Sequence, residues 1–214
     1  MAFDGLSGIT KDQFCAMLDK TLPRDACAPF DLGLTVSCVH LLLFVHRVTG
    51  LEPGLYFLLR AERDWPALQS RVAGCHRHFL WRPVDEALPL YLLQAGDFES
   101  TATSVSCRQS IAGDGAFSLG MIARLREELE TAPCRYRHLF WKTGMIGQIL
   151  YLEAEAQGVR ATGIGCFFDD PVHELMGLPD EAFQNLYHFT VGGPREDARL
   201  ATRAAYHHLG APAR

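Results

Sequence analysis

Two short runs in the last third of the chain have residue types and spacing that could meet a ligand. Ala161-Thr162-Gly163-Ile164-Gly165-Cys166-Phe167-Phe168-Asp169-Asp170-Pro171 sets two glycines one residue apart in an apolar stretch. Further on, Tyr187-His188-Phe189-Thr190-Val191 ends in a Gly192-Gly193-Pro194 turn. Glycine has no Cβ, so a strand punctuated this way brings backbone amides, rather than reactive side chains, up to a bound molecule. The same glycines would equally permit a tight strand crossing. Other candidates have plainer explanations. Asp169, Asp170, His173 and Glu174 form an acid–base cluster, yet acidic residues suit the start of a helix that Asp170 caps and Pro171 opens. Cys75-His76-Arg77-His78 has metal-ligand types but no matching second pair to complete a tetrahedral site. Cys38 and His40 share one face of a strand, where burial explains the cysteine as well. Gly113-Asp114-Gly115 could cradle an anion or simply end a loop before a helix. Lys142 could reach a ligand or lie along the surface, and Arg195 and Arg199 sit beside Glu196 and Asp197, where exposed ion pairs are common.

The elements that would position these residues follow from periodicity. Thr10 and Gln13 have capping-box spacing ahead of Phe14, Met17 and Leu18, which predicts a first helix. Asp25 to Leu34 reads as loop. Leu41 to Val48 reads as a buried strand, Thr49 to Gly54 as a turn and Leu55 to Leu59 as the returning strand of a hairpin. Asp64 to Val72 is a short helix with Pro66 in its first turn, and Pro89 to Gln94 a third strand. Ala116 to Glu130 and Arg135 to Gln157 read as helices separated by Pro133. In the second, Leu139, Thr143, Ile146, Leu150 and Ala154 share a face, and Gly158 is its C-terminal cap. Val159 to Phe168 is a strand, Pro171 to Met176 a short helix and Leu186 to Val191 the last strand. Strands in a hairpin, then strands separated by helices, indicate an α+β fold.

Composition narrows the function. The 214 residues suffice for one substantial core. They are 48% hydrophobic and 21% charged, with mean hydropathy +0.02, net charge −5 and pI about 6.0. That balance leaves no electrostatic footprint for nucleic acid. The densest apolar run, Val39 to Val45, is too short to cross a membrane, and Met1-Ala2-Phe3-Asp4-Gly5 has no secretory pattern. Seven cysteines without a Cys-x-x-Cys pair, with Cys38, Cys107 and Cys166 among apolar neighbours, indicate reduced thiols in a cytoplasmic protein.

The ordered series of motifs resembles the flavin-dependent nitroreductase family, and within it the SagB-type branch, which includes thiazoline-oxidising enzymes of peptide modification. The matching words are Tyr136-Arg137-His138-Leu139-Phe140-Trp141-Lys142-Thr143-Gly144, then Gly158 to Gly165, then Asp169 to Leu178, with the hairpin from Leu43 to Gly54-Leu55-Tyr56 upstream. The likeness runs from about Leu41 to Pro194. It implies a nitroreductase-like α+β fold, an antiparallel mixed sheet flanked by helices, over a single domain 1–214 or one half of a tandem protein. It also implies FMN held between two copies or two paired halves, and hydride exchange with a small-molecule or peptide substrate without a side-chain nucleophile. By position, Gly163, Ile164 and Gly165 would offer amides near the flavin's reactive edge. Arg195 and Arg199 would hold the phosphate, and Ser37, with Thr35, would make polar contacts.

Three departures bear on that reading. The Arg-Arg-Ser motif that grips the FMN phosphate in the family is missing before Ala2-Phe3-Asp4-Gly5, as in a fragment, one half of a tandem protein or a chain read from a late start. The family's Pro-Ser-x-Gly/Asn segment is replaced by Leu34-Thr35-Val36-Ser37-Cys38-Val39. Glu130 and Thr131 stand where thiazoline oxidases use a Lys-Tyr pair, which removes the azoline-oxidising base. The alternative function is a flavin-less nitroreductase-like half that acts as a dimerisation or binding module. No catalytic side chain and no metal site are assigned from the sequence.

Overall fold

The apolar runs of this chain are continuous because its sheet is covered on both faces. The computed structural model describes residues 2–209 except 33–38, 76, 77, 179, 198, 200 and 202, and only the backbone of 73–75. Chain order is β1 (Ile9–Thr10), α1 (Lys11–Thr21), β2 (Val39–Val45), β3 (Val48–Thr49), β4 (Gly54–Leu58), α2 (Trp65–Cys75), β5 (Arg82–Pro83) and β6 (Leu90–Ala95). There follow α3 (Glu99–Val105), α4 (Ile111–Asp114), β7 (Phe117–Arg124), α5 (Arg126–Thr131), α6 (Arg135–Ala156), β8 (Arg160–Ile164), α7 (Asp169–Met176) and β9 (Phe183–Gly192). Seven strands form one antiparallel sheet in the order β5-β6-β4-β2-β7-β9-β8, and β1 pairs with β3 in parallel. The fold is α+β and nitroreductase-like, as the motif series implies.

Strand alternation divides the core in two. Leu41, Leu43 and Val45 of β2 and Phe117, Leu119, Met121 and Ala123 of β7 face α1 and α6, meeting Phe14, Met17, Leu139, Ile146 and Leu150. Leu42, Phe44 and Ile122 face the other way, towards Leu68, Ala102, Val172 and Met176 of α2, α3 and α7. Antiparallel sheets usually leave one face to solvent and alternate in polarity; here both faces are buried, so β2 and β7 read as unbroken apolar runs.

The capping box of α1 is present in full: Thr10 Oγ1 accepts from the Gln13 N–H and Gln13 Oε1 accepts from the Thr10 N–H. Gly158 ends α6 at φ +75°, with the Gly158 N–H donating to Glu155 and the Val159 N–H to Ala154, a complete Schellman turn. The hairpin of β2 and β4, α2, β6 and β9 lie close to where their patterns place them. The stretch from Ala116 to Glu130 does not. Its first half is β7, and only Arg126–Thr131 is helical. Helix-favouring Leu, Met, Ala and Arg suggested a helix, but pairing with β2 on one side and β9 on the other overrides their preference. Gly120 is the local clue: a Cβ there would stand 2.9 Å from Asn185 Oδ1, a contact a crossing strand makes. The strand expected over Val159 to Phe168 ends at Ile164. Glu99–Val105 gives no sequence signal for a helix, because its Ser, Thr and Val residues favour other conformations; buried Ala102 and Val105 hold α3 in place.

One end of the sheet is tied by charges rather than apolar packing. His40 and Asp64 are fully buried, with Nε2 and Oδ2 2.9 Å apart. The Arg60 N–H donates to His40 Nδ1 at 3.1 Å, so Nε2 carries the ring proton and donates to Asp64. Arg124 lies 3.1 Å from Asp64 Oδ1, and the Arg60 guanidinium donates to the Thr21 and Val39 carbonyls at 2.9 and 2.7 Å. Burial lowers the His40 pKa and keeps the ring neutral. Removing one member strands the others in a dry site. Asp64→Ala should therefore cost about 3–5 kcal/mol in urea unfolding, whereas a loss below about 1 kcal/mol would place these charges in contact with water.

Candidate functional site

The glycine strand β8 lies at an edge of the sheet, where its outer side has no strand partner. The Schellman turn after α6 delivers the chain into it. Arg160 pairs with Gly192 and Ile164 with His188, so the strand runs from the Gly192 turn towards Gly165 over five residues, about 17 Å at the usual rise. Ile164 is buried in the core. The Gly163 N–H points outward and donates to the Tyr151 hydroxyl of α6 at 2.8 Å. The Tyr187 hydroxyl fills the place where a Gly163 side chain would stand. Burial, then the neighbouring Tyr151, raises the Tyr187 pKa. Gly165 differs: it is exposed, and no atom lies within 4 Å of where its Cβ would be.

Behind this edge sits a buried polar group. His188 is buried, with Nδ1 2.9 Å from Ser106 Oγ and Nε2 2.7 Å from Asn185 Nδ2. With the amide donating to Nε2, Nδ1 holds the proton and donates to Ser106. Phe167 stacks on the ring at 4.8 Å and 12°. Burial pushes the His188 pKa down to about 4. Nearby, His173 Nε2 accepts the Asn185 N–H at 3.2 Å and Asp169 Oδ2 accepts from Gln184 at 2.7 Å. Asp169 and His173 of the acid–base cluster thus hold α7 against β9. Phe168, not Asp170, is the N-cap of α7, and no side chain caps it; Asp170 falls inside the helix because the turn starts before Pro171.

The reading of uniformly reduced cysteines is overturned: Cys107 and Cys166 form a disulfide, with Cα atoms 5.7 Å apart. They lie 59 residues apart in sequence, and the fold of β7, α6 and β8 between them brings them together. Apolar neighbours, which suggested buried thiols, belong to the surrounding core; Cys166 itself is exposed. Cys15, Cys27 and Cys134 are free.

The segment after β9 returns to the start of the chain. The Asp4 N–H donates to the Gly193 carbonyl and the Arg195 N–H to that of Ala2, at 3.1 and 2.9 Å. Arg195 is exposed beside these residues. Arg199 is engaged elsewhere: its guanidinium bonds both Asp197 oxygens, at 2.8 and 2.7 Å, while 87% of its side chain stays exposed. Ser37 and Thr35 lie outside the described residues, as do His76 and Arg77 of the Cys75–His78 run. Gly113 and Gly115 serve close packing, since a Cβ would meet Glu99 O at 2.7 Å and Thr190 Oγ1 at 2.6 Å respectively. Their carbonyls accept from Arg47. Among the described residues no cluster of His, Cys, Asp or Glu could hold a metal ion, and no helix is long and apolar enough to cross a membrane.

Sequence reasoning missed Tyr151, Tyr187, Ser106 and His188. Tyr151 is legible only as an exposed aromatic on α6, and the others depend on the pairing of β8 with β9.

Residues 94–193 match the model of the Nitroreductase family. None of the curated proteins matches the chain. Among solved structures, a protein of Anabaena variabilis assigned to the nitroreductases is 24% identical with a TM-score of 0.64. The match covers 91% of this chain, which spans only 36% of that protein's length. The E. coli microcin synthetase McbBCD complex, with truncated pro-MccB17 bound, gives 17% identity and a TM-score of 0.62 over 91% of this chain and 67% of the other. Nitroreductase A of Vibrio parahaemolyticus gives 15% and 0.54 over 98% and 70%. At these identities the likeness is one of fold.

His188 and His46 both have pKa values lowered to about 4 by burial, below the ordinary value near 6.5. Between these values the unfolded chain binds protons that the native protein does not, so stability falls as pH drops from 6.5 towards 4. The melting temperature should be flat above pH 7 and decline below 6.5, and His188→Gln should reduce that slope. An unchanged slope in the variant would show that His188 is accessible to protons in the folded state.

Proposed function

We propose that this chain is an FMN-dependent oxidoreductase of the nitroreductase-like, SagB-type group, working as a homodimer or as paired half-domains in the cytoplasm. The observation that carries the reading is Gly165: an exposed glycine at the end of an edge strand, in the fold of flavin oxidoreductases, with no protein atom where a side chain would stand. A planar ring system can approach the backbone there. Gly163 contributes differently from a free amide, because its N–H already donates to Tyr151. That leaves the Tyr151 hydroxyl proton available to an acceptor on the outer side. Ile164 anchors the strand through the core. Arg195, beside the Ala2 and Gly193 backbone, is the better of the two cations for a phosphate; Arg199 would first have to leave Asp197. Ser37 remains a candidate polar contact. Bound FMN would supply two-electron hydride chemistry, and the chain's own part is to position, orient and exclude water.

The paired arrangement is supported by the outer face of α6. Tyr136, Phe140, Trp141, Tyr151 and Leu152 are exposed there, Trp141 by 50% and Leu152 by 61%. Gly144, on the same face, has no neighbour within 4 Å of a built Cβ, so another backbone can come close. Large apolar side chains left exposed along one helix are what an interaction surface presents. It adjoins Gly163 through Tyr151, so a second copy or half seated on α6 would border the glycine edge. The substrate is a small molecule or a peptide. The peptide option draws on the microcin synthetase likeness and the small-molecule option on the nitroreductases. The module without flavin is favoured by the changed residues at Leu34–Val39 and Glu130-Thr131.

Two variants separate a cofactor role from a structural one. The Cβ that Gly165→Val adds meets no described atom within 4 Å, so its melting temperature should match the parent, while FMN affinity measured by flavin fluorescence should fall by at least about tenfold. Arg195→Ala should weaken FMN by about tenfold, as expected for one charge-assisted contact. Unchanged FMN affinity in Gly165→Val would contradict the placement of the flavin.

A further inference from the structure

The disulfide lies next to the one open glycine of the edge. Cys166 follows Gly165 directly, and Cys107 follows α3 and Ser106. Cys107 and Arg108 are consecutive non-glycine residues in the left-handed region, at φ 54° and 58°. Strained backbone of that kind persists where surrounding structure imposes it, and it gathers at functional sites. Cys166 is exposed and Cys107 half-buried, so the bridge lies at the protein surface rather than in the core. Besides the disulfide, two hydrogen bonds cross this seam among the described residues, Gln109 Nε2 to the Cys166 carbonyl at 3.2 Å and the Phe168 N–H to the Val105 carbonyl at 2.8 Å. A Cβ at Gly165 would meet no described atom within 4 Å. The segment is held by buried Ile164 on one side and, on the other, by the sulfur bridge with those two hydrogen bonds.

We propose that Cys107–Cys166 is a redox-active pair that takes electrons from an external dithiol and sets the order of the Gly165–Phe168 segment. The thiolate of the dithiol attacks Cys166 Sγ, the S–S bond breaks, and its electron pair leaves on Cys107 Sγ, which takes a proton. The second thiol of the dithiol then attacks the mixed disulfide and releases Cys166 as a thiol. The protein gains two electrons and two protons, and the dithiol becomes a disulfide. In a reducing compartment a solvent-accessible disulfide is a catalytic or sensing device rather than a staple. Reduction unties the exit of the glycine strand from α3. Given the FMN reading above, the reduced protein binds flavin more weakly, because the edge that meets it is less ordered.

The test treats the folded, full chain with dithiothreitol, then alkylates and maps the thiols, with hydrogen exchange followed in parallel. Two additional alkylated sites are expected, at Cys107 and Cys166, without denaturant. Exchange of the Phe168 amide, which donates to the Val105 carbonyl, should rise by at least about tenfold while α1 is unaffected. Re-oxidation should reverse both. A pair that resists dithiothreitol until the chain is unfolded, or reduction that leaves exchange unchanged, would overturn the proposal. The Cys107→Ser/Cys166→Ser variant should exchange like the reduced form; should it not fold, the reversible reduction of the unmodified chain gives the same comparison. FMN affinity should be at least about fivefold lower after reduction. FMN binding to neither form, with the thiol and exchange results intact, would sink the flavin reading and leave the redox pair standing.

Discussion

Burial of both faces of the sheet is the constraint from which the rest of this structure follows. Seven strands with helices on either side leave no broad sheet face open among the described residues, so the edges are what the sheet presents. The two edges are unlike. β5 is two residues long, exposed and contains Pro83, a blunted edge of the kind that discourages further pairing. β8 is longer, carries Gly163 and leads straight into Gly165, with the Tyr151 hydroxyl already on one of its outward amides. Two-sided burial also explains why the charges of Asp64 and Arg124 are held against each other and the neutral His40 ring. A sheet end without water must satisfy its polar atoms internally.

The glycine edge depends on parts far away in the sequence. Tyr151 reaches it because α6 is a continuous 22-residue helix packed by Leu139, Ile146 and Leu150. Tyr187 and His188 reach it because β9 pairs with both β7 and β8. His188 then ties β9 to Ser106 at the end of α3, whose next residue is half of the disulfide. One side of the edge is thus set by aromatic hydroxyls from the α6 layer and the other by a sulfur bridge to the α3 layer.

Much of this was legible in the sequence where local chemistry decides. The Thr10–Gln13 capping box, the Gly158 stop and the Leu41 to Leu59 hairpin are signalled within a few residues, and the structure contains each. The motif order also indicated the α+β nitroreductase-like fold. What failed depends on distant partners. Phe117–Arg124 has helix-forming residues and becomes a strand only because β2 and β9 flank it. Cys107 lies between Ser106 and Arg108 and Cys166 between Gly165 and Phe167, and nothing short of the tertiary fold reveals that they meet. At the site, the glycines announce a close approach of backbone, but whether protein or ligand makes that approach is decided by Tyr187 at Gly163 and by open space at Gly165. No local pattern distinguishes these two glycines.

The central claim is that the glycine edge holds a flavin, and the visible absorption spectrum of the purified chain after incubation with excess FMN and desalting tests it most directly. The account predicts a retained flavin band, from the chain alone if it is a homodimer or from the chain together with its other half if it is paired. A colourless protein after desalting would contradict it and leave the dimerisation or binding module as the reading of this fold.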